Sequence, residues 1–277
     1  MPEGPEIKRA ADRLSAILNG EHARLVEFAF PHLSTAARTL SGQKIVSVKS
    51  RGKALITTFA NDNIIYSHNQ LYGEWHIYAR AAIKPQQLHA TKQVRLVLHT
   101  DTHAAVLYSA SDISLWHVKT INSHPYIAKL GLELLDAAVT LNDVIKQISQ
   151  AKFRKKSLAD LLLRQDFLAG LGNYLRSEIL FVAKIPVKAR LCDLNPTQQA
   201  SIATAALTLT RQSYETDGIT NDINLAIKLK AEGWRYGRYR HWVFDRAGEA
   251  CHACASVIAR VDIGGRGIYF CPKCQVK

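Results

Sequence analysis

Methionine is almost missing from this 277-residue chain; the single one is Met1. Long apolar runs are missing as well. No stretch reaches the roughly 18 uninterrupted apolar residues of a membrane-spanning helix, so no membrane partner is expected. The first segment carries acids and lacks a continuous apolar centre, so it does not read as a secretory signal. There is no internal repeat and no low-complexity tract. Cysteine is scarce: of five, Cys251, Cys254, Cys271 and Cys274 form two C-x-x-C pairs, and Cys192 stands alone as an ordinary thiol. Disulfides need not be invoked, and a reducing, cytoplasmic compartment fits. Acids are in deficit, 23 Asp+Glu against 36 Lys+Arg, a formal charge of +13. That surplus points to a polyanionic partner, with nucleic acid ahead of membrane; the alternative is a soluble protein that happens to be basic. Hydrophobic residues make up 47%, which suits a folded chain of two or three domains rather than a disordered one.

What is present is most informative at the start, Met1-Pro2-Glu3-Gly4-Pro5-Glu6. Removal of Met1 leaves Pro2 as a free secondary amine. Such an amine attacks an aldehyde-like carbon and forms an iminium, an electron sink like a lysine Schiff base. An α-amino group has a reference pKa of about 7.7–8.0, so much of it is free base near neutrality. Ile7, Ala10, Ala11, Leu14, Ile17 and Leu18 share one helical face, Pro5 suits the first turn, and Asn19-Gly20 is a stop signal. The helix N-terminus disfavours a proton on the nearby amine, and Glu3 lies within reach as proton donor or acceptor. The plain alternative is a proline and acids that merely begin a helix.

From 20 to 117 the chain reads mainly as strands, at 44–50, 54–59, 64–68, 75–78, 93–99 and 104–108, the pattern of a sandwich or barrel. The region near Lys84-Pro85-Gln86-Gln87 reads as an exposed loop. From 130 to 213 the period turns helical. Leu141, Val144, Ile145 and Ile148 mark one helix, Ser157 caps a second and Pro196 starts a third. A bridge around 122–130 links the two blocks.

Cys251-His252-Ala253-Cys254 is followed by sixteen residues and then by Cys271-Pro272-Lys273-Cys274. Two knuckles at this spacing match one four-thiolate zinc site, structural because no coordination position stays open. Redox dithiols are the alternative. Gly264-Gly265 supplies a hairpin turn between the knuckles, and Arg266 beside it is held toward phosphate or left in solvent. Gly170 and Gly172 allow a tight turn, with Asn173 expected to cap the helix over 174–181; a glycine-bearing turn into a helix start offers N–H groups to phosphate. Arg51-Gly52-Lys53 lies between strands, and Lys53 at that turn either projects toward a phosphate or a reacting group or, as is far commoner for a lone lysine, is solvated. Ser67-His68-Asn69-Gln70-Leu71-Tyr72-Gly73 places a polar, an apolar and an aromatic side chain on one loop, a trio able to fill the place of an extruded base; the commoner alternative is an ordinary strand-turn.

Together these residues resemble the family of bifunctional DNA glycosylases that includes formamidopyrimidine-DNA glycosylase and endonuclease VIII, nearly from end to end. The endonuclease VIII branch is the more similar, on Ser67 to Gly73 and on Tyr108-Ser109-Ala110-Ser111-Asp112. The purine-specific branch has a methionine-bearing loop where Gln70-Leu71-Tyr72 stand, which Met1 alone rules out here. The resemblance implies an α+β multidomain fold: an N-terminal β-sandwich with a leading helix over 1–126, a helix–two-turn–helix domain over 127–242 and a zinc-ribbon β-hairpin over 243–277. It implies that Pro2 is the nucleophile, Glu3 the general acid, and Lys53 and Arg266 assistants of elimination. Asn173 would grip the phosphate, and Gln70, Leu71 and Tyr72 would enter the helix. Lys129 stands where the family commonly has an arginine that contacts DNA. The implied partner is damaged double-stranded DNA, met by a monomer with one structural zinc ion and no nucleotide cofactor. The implied reaction is removal of oxidised bases, mainly pyrimidines, with strand cutting by β,δ-elimination. The same chemistry on oxidised purines, and a zinc-bearing DNA binder without catalysis, are the rival readings.

Overall fold

The structure, a computed structural model, describes residues 2–82 and 93–276. Met1 and the expected loop at Lys84 to Gln87 lie outside the described residues. The chain divides into two compact units, Met1–Lys129 and Leu130–Lys277. Among the described residues no helix is long and apolar enough to cross a membrane.

The first unit opens with helix α1 (Gly4–Leu18). Glu3 is its N-cap, and Glu3 and Glu6 form a reciprocal capping box, the Glu3 N–H donating to Glu6 Oε2 at 2.9 Å. Two otherwise unpaired backbone donors at the helix start are thereby satisfied. Asn19 closes the helix, as Asn19-Gly20 predicts. Ile7, Ala11, Leu14 and Leu18 turn one buried stripe inward.

Among the described residues eight strands follow: β1 (Leu25–Phe28), β2 (Ile45–Arg51), β3 (Ala54–Phe59), β4 (Asn63–His68), β5 (Glu74–Ala79), β6 (Val94–His99), β7 (His103–Tyr108) and β8 (Asp112–His117). They form two four-stranded antiparallel sheets, ordered β1-β6-β7-β5 and β2-β3-β4-β8. This is the expected sandwich. Val26, Val48, Leu55, Phe59, Ile65, Leu96, Leu98 and Leu107 fill its core, and Ala11, Leu14 and Leu18 of α1 join the same cluster. Strands β1 and β8 and the seven-residue helix α2 (Ser34–Leu40) are absent from the sequence reading. Four residues such as Leu25–Phe28 carry little periodicity of their own, and pairing with β6 makes them a strand.

The second unit is built on helices α3 (Leu141–Ile148), α4 (Leu158–Leu161), α5 (Asn173–Val182), α6 (Pro196–Glu215) and α7 (Ile223–Ala231). Thr140 and Asn195 cap α3 and α6 by accepting the N–H of Asp143 and Gln198. Ser157 stands at the N-cap of α4, but its side chain makes no cap bond. Short strands β9 (Leu132–Glu133) and β10 (Leu168–Ala169) pair in parallel. Strands β11 (Ala259–Ile263) and β12 (Arg266–Phe270) form an antiparallel hairpin, and Ile268 of β12 is buried in the helical core with Leu158, Leu175 and Ile179.

Candidate active site

In the first unit Pro2 borders a cleft of about 770 Å³, together with Ile7 and Ala10 of α1 and with Asn69, Leu71 and Tyr72. The proline at the chain start and the apolar tip of the 69–73 loop thus face one space. Glu3 is buried at 2% exposure although its neighbour Pro2 is only half-buried. An acid is rarely buried so deeply unless it is paired, and the capping box supplies part of that pairing.

Lys53 sits in the two-residue turn between β2 and β3, and Arg51 still pairs with Ala54 across it. The lysine is buried, not solvated, at 7% exposure. Its backbone N–H donates to the Tyr126 hydroxyl at 2.8 Å. Around it lies an aromatic and imidazole cluster. His68 meets Tyr126 edge-on at 5.3 Å between ring centroids, and Tyr66 stacks on His124 at 3.9 Å. The Tyr66 hydroxyl points at Asp112, and burial pushes that phenol well up. Burial likewise pushes the His68 imidazole down; Asp112 opposes the shift and the Lys53 charge adds to it. His68 Nδ1 accepts the Gln70 N–H at 2.9 Å, which leaves Nε2 as the protonated nitrogen of a neutral ring.

The 69–73 loop itself is drawn tight. Gly73 N–H donates to the Asn69 carbonyl at 2.7 Å. A Cβ at Gly73 would fall 2.4 Å from that oxygen, so a side chain there would open the turn. Leu71 and Tyr72 project from it at 49% and 76% exposure. Lys129 is exposed at the end of the 3-10 turn Ile127–Lys129.

In the second unit the structure corrects one expectation. Asn173 does not cap its helix. The N-cap of α5 is Gly172, without a side-chain cap bond, and Asn173 is the first helical residue. Its amide is engaged sideways instead: Nδ2 donates to the Gly267 carbonyl at 2.9 Å and Oδ1 accepts from Arg176 at 2.6 Å. Arg176, fully buried, also donates to the carbonyls of Ala159 at 3.2 Å and Gly267 at 3.1 Å. This guanidinium therefore ties the start of α5 to the β11–β12 hairpin that carries Arg266. Arg266 is exposed beside the turn Gly264-Gly265, where φ is 60° and 74°. Both values are left-handed, as a two-residue hairpin turn of this kind requires. Sequence reading missed Arg176. Its signal was an arginine within the apolar run Tyr174 to Phe181, which only a buried acceptor set explains.

A second buried group fixes the other end of this region. Glu178 accepts from the N–H groups of Trp242, Val243 and Phe244 at 2.8–2.9 Å and from the Thr220 hydroxyl at 2.6 Å. Burial pushes its carboxyl up, and those four donors pull it back. His241 touches Thr220 Oγ1 through Nδ1 at 2.9 Å and accepts from Arg240 through Nε2 at 2.7 Å. Burial holds this imidazole well below its usual value, aided by Arg240 and Arg246.

His68 and His241 are joined by His124, lowered mainly by burial. Each folded pKa lies below the unfolded value of about 6.5. Their contribution to stability is therefore complete above that pH and is lost as pH falls through it toward the folded values. The thermal midpoint is expected to drop between pH 7.5 and 5.5. Ring-nitrogen NMR at pH 6.5 should find His68 and His241 neutral, and half-protonated rings there would contradict these placements.

The four sulfurs of Cys251, Cys254, Cys271 and Cys274 lie within 4.8 Å of one another. Cys254 and Cys271 are 3.4 Å apart and Cys251 and Cys274 are 4.0 Å apart, far beyond a disulfide bond of about 2.05 Å. A tetrahedral zinc with bonds of about 2.3 Å places thiolates about 3.8 Å apart, so the donor set and its spacing fit that ion. The cage is anchored to its unit. Gln275 accepts the Cys271 N–H at 3.0 Å and donates to the Ile185 carbonyl at 3.0 Å. Buried Arg246 holds the carbonyl of Ala250, just before Cys251, at 2.7 Å. Cys192 is exposed and lies outside this set.

Comparison with known proteins follows the same lines. Residues 1–111 match the formamidopyrimidine-DNA glycosylase N-terminal domain. Over 275 residues the chain is 40% identical to endonuclease 8 of Klebsiella pneumoniae, covering 99% of this chain and 100% of the relative. Over 276 residues it is 41% identical to endonuclease 8 of Shigella sonnei, at the same coverage. Among solved structures, a Lactococcus lactis Fpg in complex with an abasic site containing DNA superposes with a TM-score of 0.80 at 20% identity, covering 99% of this chain and 100% of the other. A MutM in complex with carbocyclic 8-oxo-G containing DNA gives the same score at 21% identity and full coverage of both.

Proposed function

Because the chain belongs to the formamidopyrimidine-DNA glycosylase/endonuclease VIII family of DNA N-glycosylases and AP lyases, in its endonuclease VIII branch, we propose that it excises oxidised pyrimidines from duplex DNA and cuts the strand by β,δ-elimination. The observation that carries this reading is Pro2 at the edge of the cleft, one residue before a buried acid that caps α1.

In this reading the +13 charge draws the protein to phosphates. A damaged base leaves the stack at lower cost than a sound one, and Gln70, Leu71 and Tyr72 take its place. The lone pair of the Pro2 nitrogen attacks C1′ of the deoxyribose. The C1′–N bond breaks and the base leaves with that electron pair and a proton. Glu3 protonates the ring oxygen as the sugar opens, giving an iminium between Pro2 and C1′. The iminium acidifies C2′; loss of that proton expels the 3′ phosphate, and loss of the next expels the 5′ phosphate. Water then releases the sugar remnant and regenerates the amine. Lys53, buried beside His68 and Tyr126, assists these eliminations by its charge. In the second unit Asn173 and Arg266 grip phosphate, both held by the Arg176 bonds to the hairpin. Lys129 adds a point charge where a bidentate arginine would aim more narrowly. Zinc on the four cysteines supplies a structural staple and no chemistry. The protein acts as a monomer.

Substrate choice is tested by the initial rate of excision from matched duplexes. Thymine glycol is expected to be released faster than 8-oxoguanine by an order of magnitude or more. The opposite ranking would assign the chain to oxidised purines, despite a loop without methionine.

A further inference from the structure

Gln70 is held in a way that its place on the exposed loop does not require. Its backbone takes φ 54°, a left-handed value uncommon for a residue with a side chain. Its N–H is fixed by His68. Its side-chain Oε1 accepts twice from one residue, the Ser111 N–H at 3.2 Å and the Ser111 Oγ–H at 2.7 Å. A backbone N–H can only donate, so the amide atom facing Ser111 must be the oxygen. An amide oxygen has two lone pairs, and Ser111 engages both. The capacity left to Gln70 is that of its Nε2 donors.

We infer that Ser111 is a positioning residue for Gln70, fixing its amide so that the Gln70 side chain offers only N–H donors to acceptor atoms of nucleic acid. Every base pair carries acceptors on its groove edges, so a donor-only group suits lesions in varied sequence. A pre-set side chain also loses less rotamer freedom on entering the helix than a free one. Ser111 reaches this position because His68 and Asp112 are register partners in β4 and β8, which sets the residue before β8 beside the loop after β4. The inference rests on Gln70, Leu71 and Tyr72 being the element that fills the place of an extruded base.

The test is a double-mutant cycle in the full-length, zinc-loaded protein that begins at Pro2. Single-turnover excision of one oxidised pyrimidine is measured in a duplex and in the same strand alone, where no partner strand leaves a gap to fill. Ser111→Ala should slow the duplex reaction about fivefold, the scale of one net hydrogen bond, and should change the single-strand reaction far less. Ser111→Thr, which keeps the hydroxyl, should restore the duplex rate. In a Gln70→Ala background, Ser111→Ala should add nothing further, because the two act as one unit. Equal slowing on both substrates, or a loss that adds in full to Gln70→Ala, would make Ser111 merely structural. An unchanged duplex rate would make it idle. Wild-type protein inactive on both substrates would instead overturn the functional reading on which the inference rests.

Discussion

Protein that carries one extra residue before Pro2 is expected to lose strand cutting by about a thousandfold or more, while still binding damaged duplex. The extra residue turns a basic secondary amine into a tertiary amide, whose nitrogen lone pair is delocalised and cannot attack C1′. Losses of this size are usual when a nucleophile is removed and binding is left in place. Binding should persist because the groups assigned to phosphate, Asn173 and Arg266, belong to the second unit and its own bonds to Arg176 and Gly267. The α1 helix should persist as well, since its capping box uses Glu3 and Glu6 and not the amine. Thermal midpoint and duplex affinity close to those of the unextended protein, with nicking gone, is the expected pattern. Undiminished nicking by the extended protein would place the nucleophile elsewhere.

Removing the zinc proposed for the four cysteines should have the next largest effect. Four thiolates packed within 4.8 Å repel one another once ionised unless a cation sits among them. Binding energies of structural zinc sites, about 10–16 kcal/mol in small zinc domains, exceed the stability of a typical domain. Chelation, or Cys271→Ser, should therefore unfold the hairpin and release about one zinc per chain to a colorimetric chelator. Cys271 is buried, and the substitution replaces one of four soft thiolate donors by a hydroxyl, so the knuckle is disturbed even where metal is supplied. Duplex affinity should fall at least tenfold, because β12 carries Arg266 and the carbonyl of Gly267 that orients Asn173. A chain that keeps its affinity after losing its metal would show that the hairpin stands without the staple.

The parts of the fold legible in sequence were those set by local rules. The two knuckles, the Gly264-Gly265 turn and α1 between Glu3 and Asn19 depend on residues within a few positions of one another. Strand β3 matched its expected range because it is a short run rich in apolar residues, buried at all but one position. The illegible parts depend on partners far along the chain. Ser111 reads as a polar loop residue until β4 and β8 pair and bring it to Gln70. Arg176 is an anomaly in an apolar helix until Ala159 and Gly267 surround it. The error at Asn173 has the same origin. An asparagine at a helix start reads as a cap, but here the hairpin competes for its amide and Gly172 takes the cap position. Lys53 at a turn reads far more often as solvated; the structure buries it in a turn whose N–H is taken by the distant Tyr126 hydroxyl, which no nearby residue announces.

Reduction of the reaction in progress puts the central assignment to the most direct test. Borohydride added to the unextended protein and an oxidised-pyrimidine duplex should yield one covalent protein–DNA species. Peptide mass mapping should place the bond on the nitrogen of Pro2. No covalent species under conditions where the strand is being cut, or one joined through Lys53 or any other side chain, would contradict the account.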